Sequence, residues 1–179
     1  MKFNKTKIDG LYIIEPEPRV DERGSFTRIF CIEESAKKGL VFNIVQINQS
    51  FTKKRGVIRG MHFQKEPKSE GKIVQCLKGK IYDVAIDLRK DSQTYGKWLG
   101  EELTEDNKKM FYIPKGFAHG LQTLTDNCEV QYFMSEFYSS ENASGVRWSD
   151  KFFDIKWPIK NAVLSEKDKN WPLVEDISK

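Results

Sequence analysis

The sequence predicts a mainly β protein, a sandwich or barrel of many short strands with few short helices. Three observations carry this expectation: period-two alternation in the middle of the chain, several shorter apolar runs at close spacing, and scarce helical signal. In chain order, the first strands are expected at Tyr12-Ile13-Ile14 and at Ser25-Phe26-Thr27-Arg28-Ile29-Phe30. A short helix follows over Ile32-Glu33-Glu34-Ser35-Ala36-Lys37-Lys38, closed by Gly39 at a C-cap position. Phe42-Asn43-Ile44-Val45-Gln46-Ile47-Asn48 is the next strand.

The clearest alternation runs through Lys72-Ile73-Val74-Gln75-Cys76-Leu77 and, after Lys78-Gly79, through residues 80–88. In the second arm Tyr82, Val84, Ile86 and Leu88 alternate with Ile81, Asp83, Ala85 and Asp87, so the two arms are expected to form a β-hairpin with a half-polar face. Met110-Phe111-Tyr112-Ile113 and Glu129-Val130-Gln131-Tyr132-Phe133 complete the strands, and a helical turn is expected near Ser165-Glu166-Lys167-Asp168. From Trp157-Pro158 onward the chain is richer in proline and charge, which points to a segment packed over the β structure rather than a new domain.

With 179 residues and no internal repeat or linker, residues 1–179 are expected to form one domain able to bury its own core. The net charge of +4 comes from scattered basic residues, so no nucleic-acid footprint is indicated, while a local site for an anionic small molecule stays open. Cys31, Cys76 and Cys128 are odd in number and widely spaced, which suits reduced thiols in the cytoplasm. The first residues lead into no apolar signal region, and no stretch approaches the roughly 20 apolar residues of a membrane helix.

Only two histidines are present, in Arg59-Gly60-Met61-His62-Phe63-Gln64 and Ile113-Pro114-Lys115-Gly116-Phe117-Ala118-His119-Gly120. Histidine titrates nearest neutral pH, so both are candidates for proton transfer, although a histidine among apolar neighbours is more often a hydrogen-bonded structural group. Lys72 opens a strand and Arg59 precedes His62; pointing inward, they would give one cavity a base, an ammonium and a guanidinium, a set suited to an anion. Arg23 and Arg59 can fork onto a diphosphate or can be surface residues, and Lys72 can equally be a solvated strand end.

Taken with Gly71-Lys72, Asp83-Val84-Ala85-Ile86-Asp87-Leu88-Arg89, Arg147-Trp148-Ser149-Asp150 and Leu164-Ser165-Glu166-Lys167-Asp168, the two histidine motifs are ordered and spaced so that the chain resembles the dTDP-4-dehydrorhamnose 3,5-epimerase family from about Gly10 to Pro172. The resemblance implies a cupin-type double-stranded β-helix, or jelly-roll sandwich, and a homodimer with strand exchange. It also implies an enzyme without metal or other cofactor that acts on nucleotide-diphosphate 4-keto-6-deoxy sugars for surface polysaccharide synthesis. By the same resemblance His62 is the base, Asp168 its orienting carboxylate, Tyr132 the acid on the opposite face and Lys72 the cation for the enolate oxygen. Gln46, Asn48, Arg23, Arg59, His119 and Lys167 match substrate contacts, and Tyr138 matches a stacking position for the nucleotide base. Without the family, Tyr132 reads as a core aromatic and Asp168 as a surface or helix-end carboxylate.

Two positions depart from the family pattern. The glutamate expected shortly after Arg23-Gly24 is Arg28, which could add a phosphate or base contact, and a second glutamate is replaced by Ala143, with Glu141 offset by two residues. Other readings remain. An enzyme of this kind inverting C3 or C5 only, on a CDP- or GDP-linked sugar, keeps the same chemistry. A metal-dependent cupin needs two closely spaced histidines, but Gln64 stands where the second is expected. A non-catalytic carbohydrate-binding cupin would not require base, carboxylate, ammonium and tyrosine together.

Overall fold

The computed structural model describes residues 1–177; residues 178–179, the end of the expected domain, lie outside the described residues. The strands are β1 (Lys2–Lys5), β2 (Tyr12–Glu15), β3 (Arg19–Asp21), β4 (Gly24–Phe26), β5 (Gln46–Thr52), β6 (Ile58–Gln64), β7 (Lys72–Lys78), β8 (Lys80–Asp87), β9 (Trp98–Thr104), β10 (Met110–Ile113), β11 (Phe117–Thr123), β12 (Cys128–Met134) and β13 (Ala143–Gly145). Three short helices, α1 (Ile32–Ala36), α2 (Glu166–Lys169) and α3 (Val174–Ile177), complete the described elements. One sheet has the order β1-β2-β10-β7-β12-β5, a second has β13-β6-β11-β8-β9, and β3 and β4 form a separate ribbon. All named pairings are antiparallel, the mainly β architecture that the alternation predicts.

The two large sheets share one core. Val74, Cys76, Phe111 and Val130 from the first pack with Ile81, Ala85, Leu103, Phe117 and Leu121 from the second, as expected of a sandwich whose inner faces interdigitate. Each outer face is also covered. Phe42 and Leu40 join Tyr12, Ile73 and Tyr112 outside the six-stranded sheet, while Val146, Phe153 and Val174 join Met61, Val84 and Ile86 outside the five-stranded one.

That double coverage corrects the expected hairpin. β7 and β8 do not pair: β7 lies between β10 and β12, and β8 between β11 and β9. Both strands carry apolar residues on two faces, so each is central to its own sheet, and the chain changes sheets at Gly79. Gly79 has φ +77°, and a Cβ there would come within 2.6 Å of Thr125 Oγ1.

Two strand boundaries also move. The run expected over residues 25–30 is strand only in Gly24–Phe26, and that over residues 42–48 starts at Gln46 and continues to Thr52. Phe30, Phe42 and Ile44 instead cover the six-stranded sheet, where burial rather than pairing satisfies them. The α1 helix ends as anticipated, with Gly39 at φ +77° and the Leu40 N–H donating to Ser35 O at 3.0 Å.

The tail from Trp157 runs over the five-stranded sheet. Val163 bridges Val57, Gln122 exchanges hydrogen bonds with the Ile159 backbone, and the Trp157 ring meets Tyr82 edge-on. Ser165 caps α2 by accepting the Asp168 N–H at 3.1 Å, which fixes Asp168 at the mouth of the sandwich.

Candidate active site

Between the sheets the interior is polar at one end. Along β5, Gln46 and Asn48 share a face as their spacing predicts and bond to one another at 3.0 Å, while β12 presents Tyr132 and β7 presents Lys72. A cleft of about 400 Å³ is lined by Gln46, Asn48, His62, Lys72, Tyr138, Lys167 and Asp168 among others. An adjoining hollow of about 290 Å³ shares Asn48, His62, Lys72 and Asp168 with it and adds Arg59, His119 and Tyr132. Sizes in this range suit a small-molecule ligand.

Strand β6 reaches this cleft by a local irregularity. His62 pairs with His119 and Arg59 with Leu121, so three steps on β6 span two on β11. The extra residue brings Arg59 and His62 to the same cleft, where regular alternation would send residues three apart to opposite faces. Gly60 and Gly120 make the close approach possible, since a Cβ on Gly60 would lie 2.5 Å from the Gly120 Cα.

His62 Nε2 lies 2.6 Å from Asp168 Oδ1, and its side chain is 43% exposed, open to a ligand. Burial would raise the Asp168 carboxyl, but the hydrogen bonds from His62, the Ser165 hydroxyl at the cap and the Trp171 indole outweigh it and hold the group below its ordinary value. With Nε2–H donated to this carboxylate, the other ring nitrogen carries the lone pair that can accept a proton. Tyr132, from the facing sheet, bonds Ser50 Oγ at 3.1 Å, and burial pushes its phenol up to about 12, so it remains a proton donor at neutral pH.

His119 is buried, with Nε2 2.8 Å from Asp83 Oδ1. Burial pushes the Asp83 carboxyl up and the His119 imidazole down, each against the pull of the other, so both are driven toward neutral forms. Arg59 donates through Nε to Thr52 Oγ1 at 3.0 Å. Lys72 is no solvated strand end: its side chain is 7% exposed and pairs with Glu70 at 3.0 Å.

Tyr138 stands at the rim, 63% exposed, with its N–H donated to Gln46 Oε1, and Lys167 Nζ lies 5.3 Å from the Trp171 ring centre. Arg23 is the one anticipated contact placed elsewhere, on the exposed β3–β4 ribbon with its guanidinium 2.6 Å from Asp21. Arg28 also lies outside the cleft, paired with Glu34 at 2.7 Å, whereas Ala143 lines it. Gln64 donates to Lys68 O and Phe137 O and accepts from the Ser139 N–H, and among the described residues no three His, Cys, Asp or Glu side chains gather as metal ligands.

Sequence reasoning passed over Glu70, Asp83, Ser165 and Trp171. Asp83 carried a signal, a carboxylate in register with the inward-facing Ile81 and Ala85. Trp171 carried none, because its hydrogen bond to Asp168 depends on how the tail folds back.

Known proteins match this chain over nearly its whole length. The family model described as dTDP-4-dehydrorhamnose 3,5-epimerase matches residues 5–176. The protein of that name from Methanothermobacter thermautotrophicus is 47% identical, with 98% of this chain and 96% of that protein covered. A dTDP-4-dehydrorhamnose 3,5-epimerase from Bacillus anthracis, solved with TDP and PPi bound, is 42% identical with a TM-score of 0.93 over 97% of this chain and 99% of that one. The Legionella pneumophila dTDP-6-deoxy-D-glucose-3,5-epimerase, solved with dTDP-4-keto-L-rhamnose, is 38% identical with a TM-score of 0.91 over 97% and 93%. Since a family model spans nearly all of its length and a relative 47% identical covers both chains almost end to end, this chain belongs to the dTDP-4-dehydrorhamnose 3,5-epimerase family.

Proposed function

We infer that this protein is a sugar-nucleotide isomerase that inverts C3 and C5 of dTDP-4-dehydro-6-deoxy-D-glucose, giving dTDP-4-dehydro-L-rhamnose. The observation that carries the reading is the placing of a part-exposed His62 on one sheet, bonded to the buried Asp168 of α2, opposite the Tyr132 phenol on the facing sheet, around a shared hollow. A ketone at C4 acidifies the hydrogens on both neighbouring carbons. His62 removes one, Asp168 stabilises the resulting imidazolium, and the Lys72 ammonium stabilises the enolate oxygen where little water screens it. Tyr132 returns a proton from the other side, and that change of face inverts the carbon.

Because C3 and C5 flank the same carbonyl, one cation serves both steps. Arg59, His119, Gln46, Asn48 and Lys167 are assigned to hold the substrate, with Tyr138 against its base. The buried, neutral-leaning His119 is better suited to donate one hydrogen bond than to cycle a proton.

The enzyme works, in this reading, as a homodimer whose residues 1–179 form one domain. Exposed Val20 and Phe26 on the β3–β4 ribbon, with Ile47 and Phe51 on β5, supply apolar surface for a second copy. Exchange of the ribbon would carry Arg23 toward the partner's diphosphate. Cytoplasmic placement is supported by the unpaired Cys31, Cys76 and Cys128, and no helix among the described residues is long and apolar enough to cross a membrane.

Incubation with the dTDP-ketosugar in deuterated water tests the reaction. Deuterium at both C3 and C5 is expected; incorporation at one carbon would mean a single inversion, and none would refute the assignment.

A further inference from the structure

Lys72 does not stand alone in the cleft. Its Nζ lies 3.0 Å from Glu70 Oε1, and the two side chains are only 7% and 5% exposed. The second carboxylate oxygen, Glu70 Oε2, accepts the Gln64 backbone N–H at 2.9 Å. Gln64 lies two residues beyond His62 on the same strand, and its own amide is held by Lys68, Phe137 and Ser139. One buried carboxylate therefore ties the ammonium to the strand that bears the base.

We propose that Glu70 is a positioning residue that fixes the Lys72 ammonium relative to His62, so that cation and base meet the same substrate. The inference rests on the assignment of Lys72 to the enolate oxygen. A lysine ammonium rides on a flexible four-carbon stem, and holding it before substrate arrives removes a search that would otherwise accompany reaction. Other charges act on it: in the same hollow, which His62 and His119 also line, Asp168 attracts the ammonium and Arg59 repels it, and Asp83 is close enough to interact with Lys72 electrostatically. Asp83 Oδ2 is buried without a hydrogen-bond partner among the described residues, so it is the acceptor to which an unrestrained ammonium would turn. Glu70 also offsets part of the attraction between Lys72 and an enolate, so its benefit lies in geometry rather than charge.

The test compares the wild-type protein with Glu70→Ala, Glu70→Gln, Lys72→Met and the Glu70→Ala/Lys72→Met double variant. Glu70→Ala is expected to lower kcat for the dTDP-ketosugar roughly 10- to 100-fold, the scale of a misplaced reacting group, while affinity for dTDP is unchanged. Glu70→Gln, which keeps one acceptor, falls between. In the Lys72→Met background, Glu70→Ala should add no further loss, because a residue acting through Lys72 has nothing left to position. Side-chain NMR of the Lys72 ammonium supplies a readout that needs no substrate: an ordered signal in the wild type should become disordered in Glu70→Ala. Folded Glu70 variants with wild-type kcat, equal fractional losses in both backgrounds, or a Lys72 signal indifferent to Glu70 would overturn the proposal. Wild-type protein inert toward the ketosugar would instead refute the reaction assignment, and the NMR comparison would still decide the role of Glu70.

Discussion

Two histidines, register partners across β6 and β11, each meet a carboxylate, His62 with Asp168 of α2 and His119 with Asp83 of β8. Their hydrogen bonds are similar, at 2.6 and 2.8 Å, but their surroundings are not. His62 is 43% exposed and its carboxylate arrives on the tail, whereas His119 is 7% exposed and its carboxylate sits on the adjacent strand with no exposure. Solvation separates the roles. Against burial, which would raise it, hydrogen bonds hold the Asp168 carboxyl below its ordinary value, while burial drives Asp83 and His119 toward neutrality. The same two side-chain types thus leave one imidazole accessible at the mouth of the sandwich and enclose the other inside it.

Substitution of the accessible histidine should have the largest effect. His62→Ala is expected to lower solvent exchange about 10²–10⁴-fold while dTDP binding, followed by calorimetry, persists. Unchanged exchange would transfer the base to another group and dissolve the distinction between the pairs. Next comes a crossed comparison of the two carboxylates. Asp168→Ala should depress exchange strongly, with little added when His62 is already alanine, because the two act as a unit.

Stability should rank the carboxylates the other way. Asp83→Ala is expected to destabilise by about 1–3 kcal/mol, since it strands a buried imidazole donor or acceptor. Asp168→Ala, whose histidine partner keeps access to water, should cost less than Asp83→Ala. Urea melts of the two variants check the order, and equal losses would mean that both pairs are structural.

The smallest effect is in acid. The folded Asp168 carboxyl titrates below its ordinary value, so the unfolded chain takes up that proton first as pH falls. Its stabilising contribution is therefore present above the ordinary carboxylate value of about 4 and is lost as pH drops through the depressed folded value. Thermal melts between neutral and acidic pH should show a shallower acid limb in Asp168→Asn than in the wild type, and identical limbs would remove Asp168 as the source.

The two histidines, Arg59 and Lys72 are legible as candidates from residue types alone, whereas Tyr132 and Asp168 emerge only through the family resemblance; together with Gln46 and Asn48 they line the two adjoining hollows. Arg23 does not reach that cleft within one chain, because its ribbon projects away from the sandwich with Val20 and Phe26 exposed. Glu70 escaped notice because a glutamate two residues before a lysine is ordinarily a solvated neighbour; only burial of both makes the pair a fixed structural unit. The shared cleft of Arg59 and His62 was likewise hidden, since the irregularity on β6 is visible only in its register with β11.

By itself the sequence determined the β-rich class, strands at β2, β4, β5, β7, β8, β10 and β12, the Gly39 helix end and the two histidines as proton-transfer candidates, because alternation, capping and side-chain chemistry are local properties; β6, β9 and β11 of the second sheet it did not mark. Tertiary structure alone decided which strands pair and which carboxylate serves which histidine. Residues 72–78 and 80–87 looked like a hairpin until burial on two faces assigned them to different sheets. His62 and Asp168 are 106 residues apart, and they meet because the tail packs back over the sheet that carries the histidine.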